Sequence, residues 1–476
     1  MHRFVGFVLT PVHIGDGTTM TPDGYRLGKA GERTVVERFD PPAVIAAMSA
    51  GLRDQYVVAL SKGDLQKAHE YLCKAAGTAI TERLAVSENS RGEIKNALDN
   101  PLRRDGSIGR FIRSGGIPIL PGSSVKGAIR TAWLAYAAGA LPPDQVKRLA
   151  LNIEHAGPGK TGPTSDGIQC AIFDIEQHHT EQDPLRDLSV SDAPLERGST
   201  VIDRVQVANS TEKGPVVIGG EGKMQIHVER LASIADRGDF AVKPFKIDIA
   251  ALDREAIEER RDRAGERAEG STRIPRAIPR HPPRLEDVRK ATNAHHSALW
   301  FYERERFYQG TPTQHLLDEL LVKSGFPAQP EKLEPALNGL GAWLLRVGRY
   351  GHFESKSIRV NDRRYGQKAA RKGHPAEFMS AGGSRTVAKD ADGRLLPFGW
   401  VLLLAEASAS KAVPQLERRV RASSALYGFR KGDRVTNGDE DATVVRDVRA
   451  ADARMDVRFD DGAVEEVAVD GWRLAR

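Results

Sequence analysis

Apolar residues crowd positions 3–14, RFVGFVLTPVHI, in the manner of a strand, and a Gly/Thr/Pro-rich loop over 16–24 then leads to a return strand at DGYRL, Asp23–Leu27. From Pro41 to about Val86 the spacing changes to that of helices, with Val44, Met48, Leu52, Tyr56 and Leu60 on one face. An Arg/Gly-rich loop over Asn100–Gly116 precedes IPILPGSSVKGAIRTAWL, Ile117–Leu134. There an extended apolar run meets a Pro-Gly-Ser-Ser turn and a helix that ends near Leu141 and Pro142.

Strands are expected at GIQCAIFDIEQ (Gly167–Gln177), LRDLSVSDAPL (Leu185–Leu195), STVIDRVQVAN (Ser199–Asn209) and Lys223–Glu229, closing a first sheet near residue 230. The pattern restarts at FKIDIAAL, Phe245–Leu252. A charged helical segment over 253–269 and an exposed Pro/Arg linker over 271–284 follow, then a helix over Leu285–Phe307. GLGAWLLRVGRYGHFESKSIRV (Gly339–Val360) comes next, and SRTVAKDADGRLLPFGWVLLLAE (Ser384–Glu406) reads as a hairpin turning at Asp392-Gly393. Beyond Tyr427, short alternating strands with Asn-Gly and Asp-Gly turns predict a small β-barrel. The fold class is α+β, in two similar halves with a small all-β appendage.

Composition narrows this picture little. The 476 residues suffice for two or three cores, and 70 Lys plus Arg against 64 Asp plus Glu leave a net charge of only +6, which matters where it is clustered. Two cysteines, Cys73 and Cys170, are too few for a disulfide framework or a cysteine-ligated zinc site, so a reducing, cytoplasmic interior is expected. Phe398–Ala405 is too short to span a bilayer.

Clustering is found at the PGSS turn. A helix opening on Gly122, Ser123 and Ser124, with Lys126 and Arg130 four apart on one face, aims backbone N–H groups and two cations at one small volume. The expected ligand is a phosphate, and by extension an RNA backbone held without reading bases.

LTPVHIGDG (Leu9–Gly17), PGSSVKGAIRTA, DLSVSDAPL with VIDRV, WLLRVGRYGHFESKS and RLLPFGW, in that order, resemble the RAMP superfamily, and most closely the fifth Csm subunit family of type III-A CRISPR effector complexes. The resemblance covers about residues 3–406 and leaves out the C-terminal barrel, which looks like Tudor-like modules. It implies two ferredoxin-like (RRM-like) RAMP domains, 1–230 with a helical insertion at 41–86 and 231–410 with a basic insertion at 253–284, followed by a barrel at 427–476. It also implies a non-catalytic subunit that binds crRNA, caps the backbone filament near the 3′ part of the guide, and meets target RNA, neighbouring Csm backbone subunits and the small helical subunit, with no membrane, metal or cofactor. The carry-over places RNA contacts at Gly122, Ser123, Ser124, Lys126 and Arg130, and at Arg346, Gly348, Arg349, Gly351 and Lys356, in a loop whose glycine run is sparser than the superfamily's fullest form. His13 and Arg385 complete the expected RNA-binding set.

Other signals carry less. AGPGKTGPT (Ala156–Thr164) ends like a P-loop but has Glu154 where the first glycine is required. His13 has no evident second base, and Asp16 and Asp23 suit Asx turns better than a Mg²⁺ site, which leaves a RAMP endoribonuclease as the alternative function. A barrel-mediated adaptor is the second alternative. His178-His179 with Glu181 and Asp183, and His295-His296, lack the i, i+4 spacing of paired metal ligands and read as surface residues. Trp300, Phe301, Tyr302, Phe307 and Tyr308 read as a core stripe rather than a base-stacking platform.

Overall fold

The computed structural model describes residues 2–30, 33–99, 106–142, 144–145, 165–173, 183–196, 198–211, 214–217, 226–236, 244–251, 283–360, 363–365, 384–390, 392–409, 434–436, 440–449, 454–468 and 473–474. The Gly-Lys-Thr turn at 159–161, His178, His179 and Glu181, the charged segment 253–269 and the Pro/Arg stretch as far as Pro282 lie outside the described residues.

β1 (His2–Val8) is followed by β2 (Gly15–Met20), β3 (Tyr25–Ala30) and β4 (Arg33–Phe39). β2 occupies most of the stretch expected as a loop, because Thr19 and Met20 find backbone partners far downstream in Gly109 and Ile108. Helices α1 (Pro41–Ala47), α2 (Ala50–Ser61) and α3 (Leu65–Ala75) form the expected helical layer and bury Val44, Met48 and Leu72 against Phe39. Pro41 stands where a first turn needs no N–H donor, and Asp64 caps α3 by accepting the Lys67 N–H at 3.1 Å. The helical layer ends before Val86. β5 (Ile80–Val86) is a strand paired with β4, and its ITERLAV run alternates with period two.

α4 (Glu88–Asp99), β6 (Ile108–Phe111), β7 (Arg113–Ser114) and β8 (Ile117–Leu120) lead into α5 (Gly122–Gly139). The strand expected from Gly167 is instead α6 (Ser165–Phe173), whose Ile172 and Phe173 pack on Leu134 and Ala138 of α5. Of the strand expected over Leu185–Leu195 only β9 (Ser189–Val190) and β10 (Ala193–Pro194) are strands, and Ser191-Asp192 between them serves α5 instead. β11 (Thr200–Thr211), β12 (Gly214–Val217), β13 (Ile226–Leu231) and β14 (Phe245–Ala250) precede three helices, α7 (Leu285–Arg306), α8 (Pro312–Lys323) and α9 (Pro330–Gly339). β15 (Trp343–Arg346), a 3₁₀ turn over Phe353–Lys356, and strands β16 (Ile358–Val360) and β17 (Arg363–Tyr365) come next. β18 (Ser384–Lys389) and β19 (Leu395–Pro397) form a hairpin that turns through Gly393 at φ +79°, and β20 (Trp400–Ala405) follows.

A five-stranded sheet runs β15-β20-β1-β14-β9, and a ten-stranded one runs β2-β6-β13-β11-β5-β4-β3 with β12 and β18 joined at β11 and β19 joined to β18. β1 lies between β14 and β20, and β18 pairs with β11, so both sheets draw strands from either side of residue 230. The five-stranded sheet is covered on both faces. Phe4, Trp343, Leu345, Val401 and Leu403 enter one core with Val125 and Ile129 of α5, while Val5, Phe7, Leu344, Leu402 and Leu404 enter another with Trp300 of α7 and helices α8 and α9. That double burial is why WVLLLA and AWLL, Ala342–Leu345, are unbroken apolar runs.

The C-terminal strands β21 (Arg434–Thr436), β22 (Asp441–Arg449), β23 (Arg454–Phe459), β24 (Val464–Ala468) and β25 (Arg473–Leu474) form an antiparallel sheet of order β24-β23-β22-β21-β25 around Val435, Ala442, Val444 and Val457. Among the described residues, no helix is long and apolar enough to cross a membrane.

Candidate nucleic-acid interface

α5 begins in a crowded place. A Cβ on Gly122 would overlap the carbonyl oxygen of Val190 and lie 2.7 Å from that of Ser191, so only glycine lets the helix start against the β9–β10 segment. The Gly122 N–H donates to Asp192 Oδ1 at 2.8 Å, placing a carboxylate at the positive end of the helix. Ser123 is exposed and Ser124 half-buried, its N–H turned to the Pro121 carbonyl at 3.0 Å. Lys126 Nζ donates to the carbonyls of Leu188 at 2.6 Å and Arg186 at 3.3 Å, and burial lowers its pKa from the usual lysine value. Arg130 bonds Gln169 Oε1 at 3.0 Å, pairs with Asp183 and lies 5.3 Å over the Phe173 ring.

The open volume with unpaired amides and two cations, expected from PGSS-x-KGA-x-R, is therefore already furnished with acceptors. The stretch 183–192 and α6 supply them, some 40–70 residues downstream of the motif, so no local spacing announces them.

The second motif is a turn folded onto the first strand's end. Gly348 takes φ +89°, and a Cβ there would lie 2.7 Å from the His13 carbonyl oxygen. The Arg349 N–H donates to that same oxygen at 2.9 Å. Tyr350 stacks on the His13 ring with centroids 5.5 Å apart. His13 is 2% exposed, and its Nδ1–H donates to the Glu229 carbonyl at 2.7 Å. Burial lowers its pKa below the ordinary imidazole value, so the ring is neutral at physiological pH. Gly351 is buried against Ser355, whose hydroxyl donates to the Gly351 carbonyl and, at 3.0 Å, to that of His352.

Arg346 and Arg385, both expected at RNA, face inward. Arg346 gives its two terminal nitrogens to Glu303 at 2.8 and 2.9 Å and its Nε–H to the Phe398 carbonyl at 3.0 Å, with Trp400 5.0 Å beneath the guanidinium. Arg385 spans Glu303 at 3.3 Å and Glu354 at 3.0 Å over the Phe307 ring. The reason is electrostatic: Glu303 on α7 and Glu354 in the Phe353–Lys356 turn are buried carboxylates that need cations, and these two supply them. Arg349, by contrast, is exposed. Lys356 closes the 3₁₀ turn, and its side chain lies outside the described set.

These pieces converge. α5 lies against the Phe353–Lys356 turn and β16, joining the two motifs. The Pro11 carbonyl accepts from Gly399 N–H at 2.7 Å and Thr10 Oγ1 from Trp400 N–H at 3.0 Å, which ties TPVHIG to PFGW.

The remaining candidates have structural roles. Asp16 Oδ1 accepts from the Thr18 N–H and Oγ1–H, each at 2.7 Å, which is an Asx turn, and Asp23 sits in the short 3₁₀ turn Pro22–Gly24. Trp300, Phe301, Phe307 and Tyr308 are buried as a core stripe, with Tyr302 half-buried. His296 is not on the surface as expected: it is fully buried, edge-on to Trp400 at 6.2 Å, because α7 is covered along most of its length. Cys73 and Cys170 are both half-buried and outside any disulfide, and burial pushes the Cys73 thiol up to about 11. Among the described residues no group of three or more side chains is placed to hold a metal. Sequence reasoning missed Glu303 and Glu354, and also a trio of arginines, Arg38, Arg110 and Arg113, gathered on Glu82 from three different strands.

The family model of the RAMP superfamily matches residues 8–351. Among solved structures the chain is similar to a chain of the cryo-EM structure of a Csm–crRNA–target RNA ternary complex of a type III-A CRISPR-Cas system, at 18% identity and a TM-score of 0.49, covering 85% of this chain and 100% of that one. It is also similar to the crystal structure of T. onnurineus Csm5, at 18% identity and a TM-score of 0.44, covering 83% and 99% respectively. No curated protein matches the chain.

Proposed function

The chain belongs to the RAMP superfamily, and from that premise we propose that it is a non-catalytic crRNA-binding subunit of a type III-A CRISPR-Cas (Csm) effector ribonucleoprotein, capping the backbone filament near the 3′ part of the guide in cytoplasmic antiviral defence. The observation that carries the proposal is the convergence of TPVHIG, the PGSS helix and the Gly348–Gly351 turn, 10 to 351 in sequence, onto one seam held by His13 and the Phe353–Lys356 turn. The order of the motifs supports the fifth Csm subunit within the superfamily. In this reading Ser123, Arg349 and Lys356 meet phosphates, Lys126 and Arg130 do so by exchanging the Leu188 carbonyl and Asp183 that now hold them, and Gly122, Ser124, Gly348 and Gly351 set the backbone path that His13, Arg346 and Arg385 brace. The two sheets descend from ferredoxin-like (RRM-like) RAMP domains, and the C-terminal five-stranded sheet is a Tudor-like barrel used for interaction. Partners are crRNA, target RNA and neighbouring Csm subunits.

Cleavage by this chain finds less support. His13 is buried with its proton committed to the Glu229 carbonyl, and Asp16 is committed to Thr18. The test is to purify the tagged chain from its native cells, sequence the bound RNA and identify the accompanying proteins. Guide RNAs with uniform repeat-derived 5′ ends, together with other effector subunits, are the expected result; a bare monomer overturns the proposal.

A further inference from the structure

One face of the ten-stranded sheet is apolar through Val36, Leu84 and Ile108, which share a core with Tyr25 and Met20. Two positions away in each strand, forward from Val36, back from Leu84 on the antiparallel β5 and forward from Ile108, the same face carries Arg38, Glu82 and Arg110. Period two alone would place apolar side chains there; the chain has two arginines around one carboxylate. Their side chains are 37%, 23% and 19% exposed respectively, so the apolar core opens to solvent at a charged mouth.

Glu82 does not satisfy that mouth. Its Oε1 is taken by Arg113 at 2.7 Å, and Oε2 lies 3.9 Å from Arg38 and 3.7 Å from Arg110, beyond hydrogen-bond distance. Arg113 is further occupied by Glu229, which also accepts the Phe111 N–H at 3.1 Å. Two other carboxylates stand near: Asp16, spent on Thr18, and Asp40, exposed ahead of α1. Among the described residues, no side chain or carbonyl accepts a hydrogen bond from the Arg38 or Arg110 guanidinium, although each offers five N–H donors. Burial, and then the neighbouring Arg110, lower the Arg38 pKa, as expected of cations short of counter-charge.

The mouth adjoins the seam described above. Gly15 is the link: a Cβ there would lie 3.2 Å from His13 Nε2 and 3.5 Å from the Arg110 carbonyl oxygen. His13 in turn carries Tyr350 and the Arg349 backbone.

We propose that Arg38 and Arg110 form a second anion seat, for a phosphodiester of the bound RNA strand, which extends the phosphate track from Arg349 past His13 onto the sheet. This rests on the RNA-binding reading of the chain. A phosphate presents the paired oxygens that two guanidinium forks can engage and that Glu82 cannot offer to both. Continuity with the Gly348–Gly351 turn favours RNA over a partner protein's carboxylate as the occupant.

The test measures binding of a fluorescein-labelled single-stranded RNA to the full chain across a salt series. The double variant Arg38→Gln with Arg110→Gln should lower the slope of log K against log salt by about 0.7, for the one single-strand phosphate that the two arginines share. The Arg38→Lys with Arg110→Lys pair, which keeps both charges and guards against a folding defect, should retain most of the slope while binding more weakly. Wild-type binding with an unchanged slope in the glutamine variant overturns the second seat alone and points to a protein carboxylate at the mouth. Failure of the wild-type chain to bind RNA at all overturns both this inference and the reading it rests on.

Discussion

Glu354 Oε1 accepts from Arg385 Nη2 at 3.0 Å, joining the Phe353–Lys356 turn to strand β18, both side chains being almost wholly buried. Through Arg385 the contact continues to Glu303 and Arg346, so the turn beside α5 is anchored to the floor of the larger core by alternating charges. Removing one member of such a buried set leaves an opposite charge short of its partner, at a cost of about 3–5 kcal/mol. Arg385→Met is expected to lower unfolding stability by that order, and Glu354→Gln by less because its amide oxygen still accepts. Urea denaturation of both variants checks this; wild-type midpoints would mean the pairs contribute nothing net.

Lys126→Ala with Arg130→Ala tests the first motif. In the folded chain these cations hold the 183–188 segment and α6, so the double variant should loosen α6 as well as weaken RNA binding. Each cation that no longer meets a phosphate takes about 0.7 from the salt slope, which should flatten by about 1.4 in all. An unchanged slope would remove both residues from the phosphate track.

Gly122→Ala forces a methyl into the Val190 carbonyl and against that of Ser191, so β9, β10 or the helix start has to shift. Overpacking of that kind costs on the order of 1–3 kcal/mol. Thermal melting should show the loss, and Gly127→Ala, where nothing lies within 4 Å of the new Cβ, should not.

The legibility of this chain in its sequence divides along physical lines. β15 and β20 are readable because burial on both faces leaves continuous apolar runs, and α7 because its 22 residues carry a long pattern. The turn at Asp392-Gly393 is readable from its dipeptide alone. α6 and β5 escape such reading because a run of seven to nine residues satisfies either period, and tertiary contact with α5 or β4 decides. The site divides likewise. Its glycines announce themselves, but the carboxylates that occupy Arg130, Arg346 and Arg385 do not, since Asp183 lies 53 positions from Arg130 and Glu303 lies 43 from Arg346.

Acid should destabilise the fold through its buried histidines. Burial lowers the folded-state pKa of His13, and of His296 more strongly, below the unfolded value near 6.5. Between the two values the unfolded chain binds more protons, so stability is fully present above the unfolded pKa and is lost as pH falls toward the folded one. His13→Gln should therefore flatten the pH dependence of unfolding in the mildly acidic range, measured by denaturant titration at a series of pH values. A slope identical to wild type would show that His13 titrates normally.

Deleting residues 427–476 should leave RNA affinity and its salt dependence intact if the C-terminal sheet only recruits a partner. Loss of RNA binding in the truncated chain, with an unchanged melt of the body, would move the C-terminal sheet into the RNA site.

The place of β1 carries a consequence for how the protein is made. Phe4 pairs with Ala405 and Val8 with Val401, on the other side from Ile247 and Ile249, so a strand made long before its partners forms the middle of the sheet that they complete. At about 5–20 residues per second, roughly 20–80 s separate the emergence of those partners from the ribosome. Through that interval the Phe- and Val-rich β1 is an unpaired hydrophobic strand, and the nascent chain depends on whatever shelters that edge until β20 has been made.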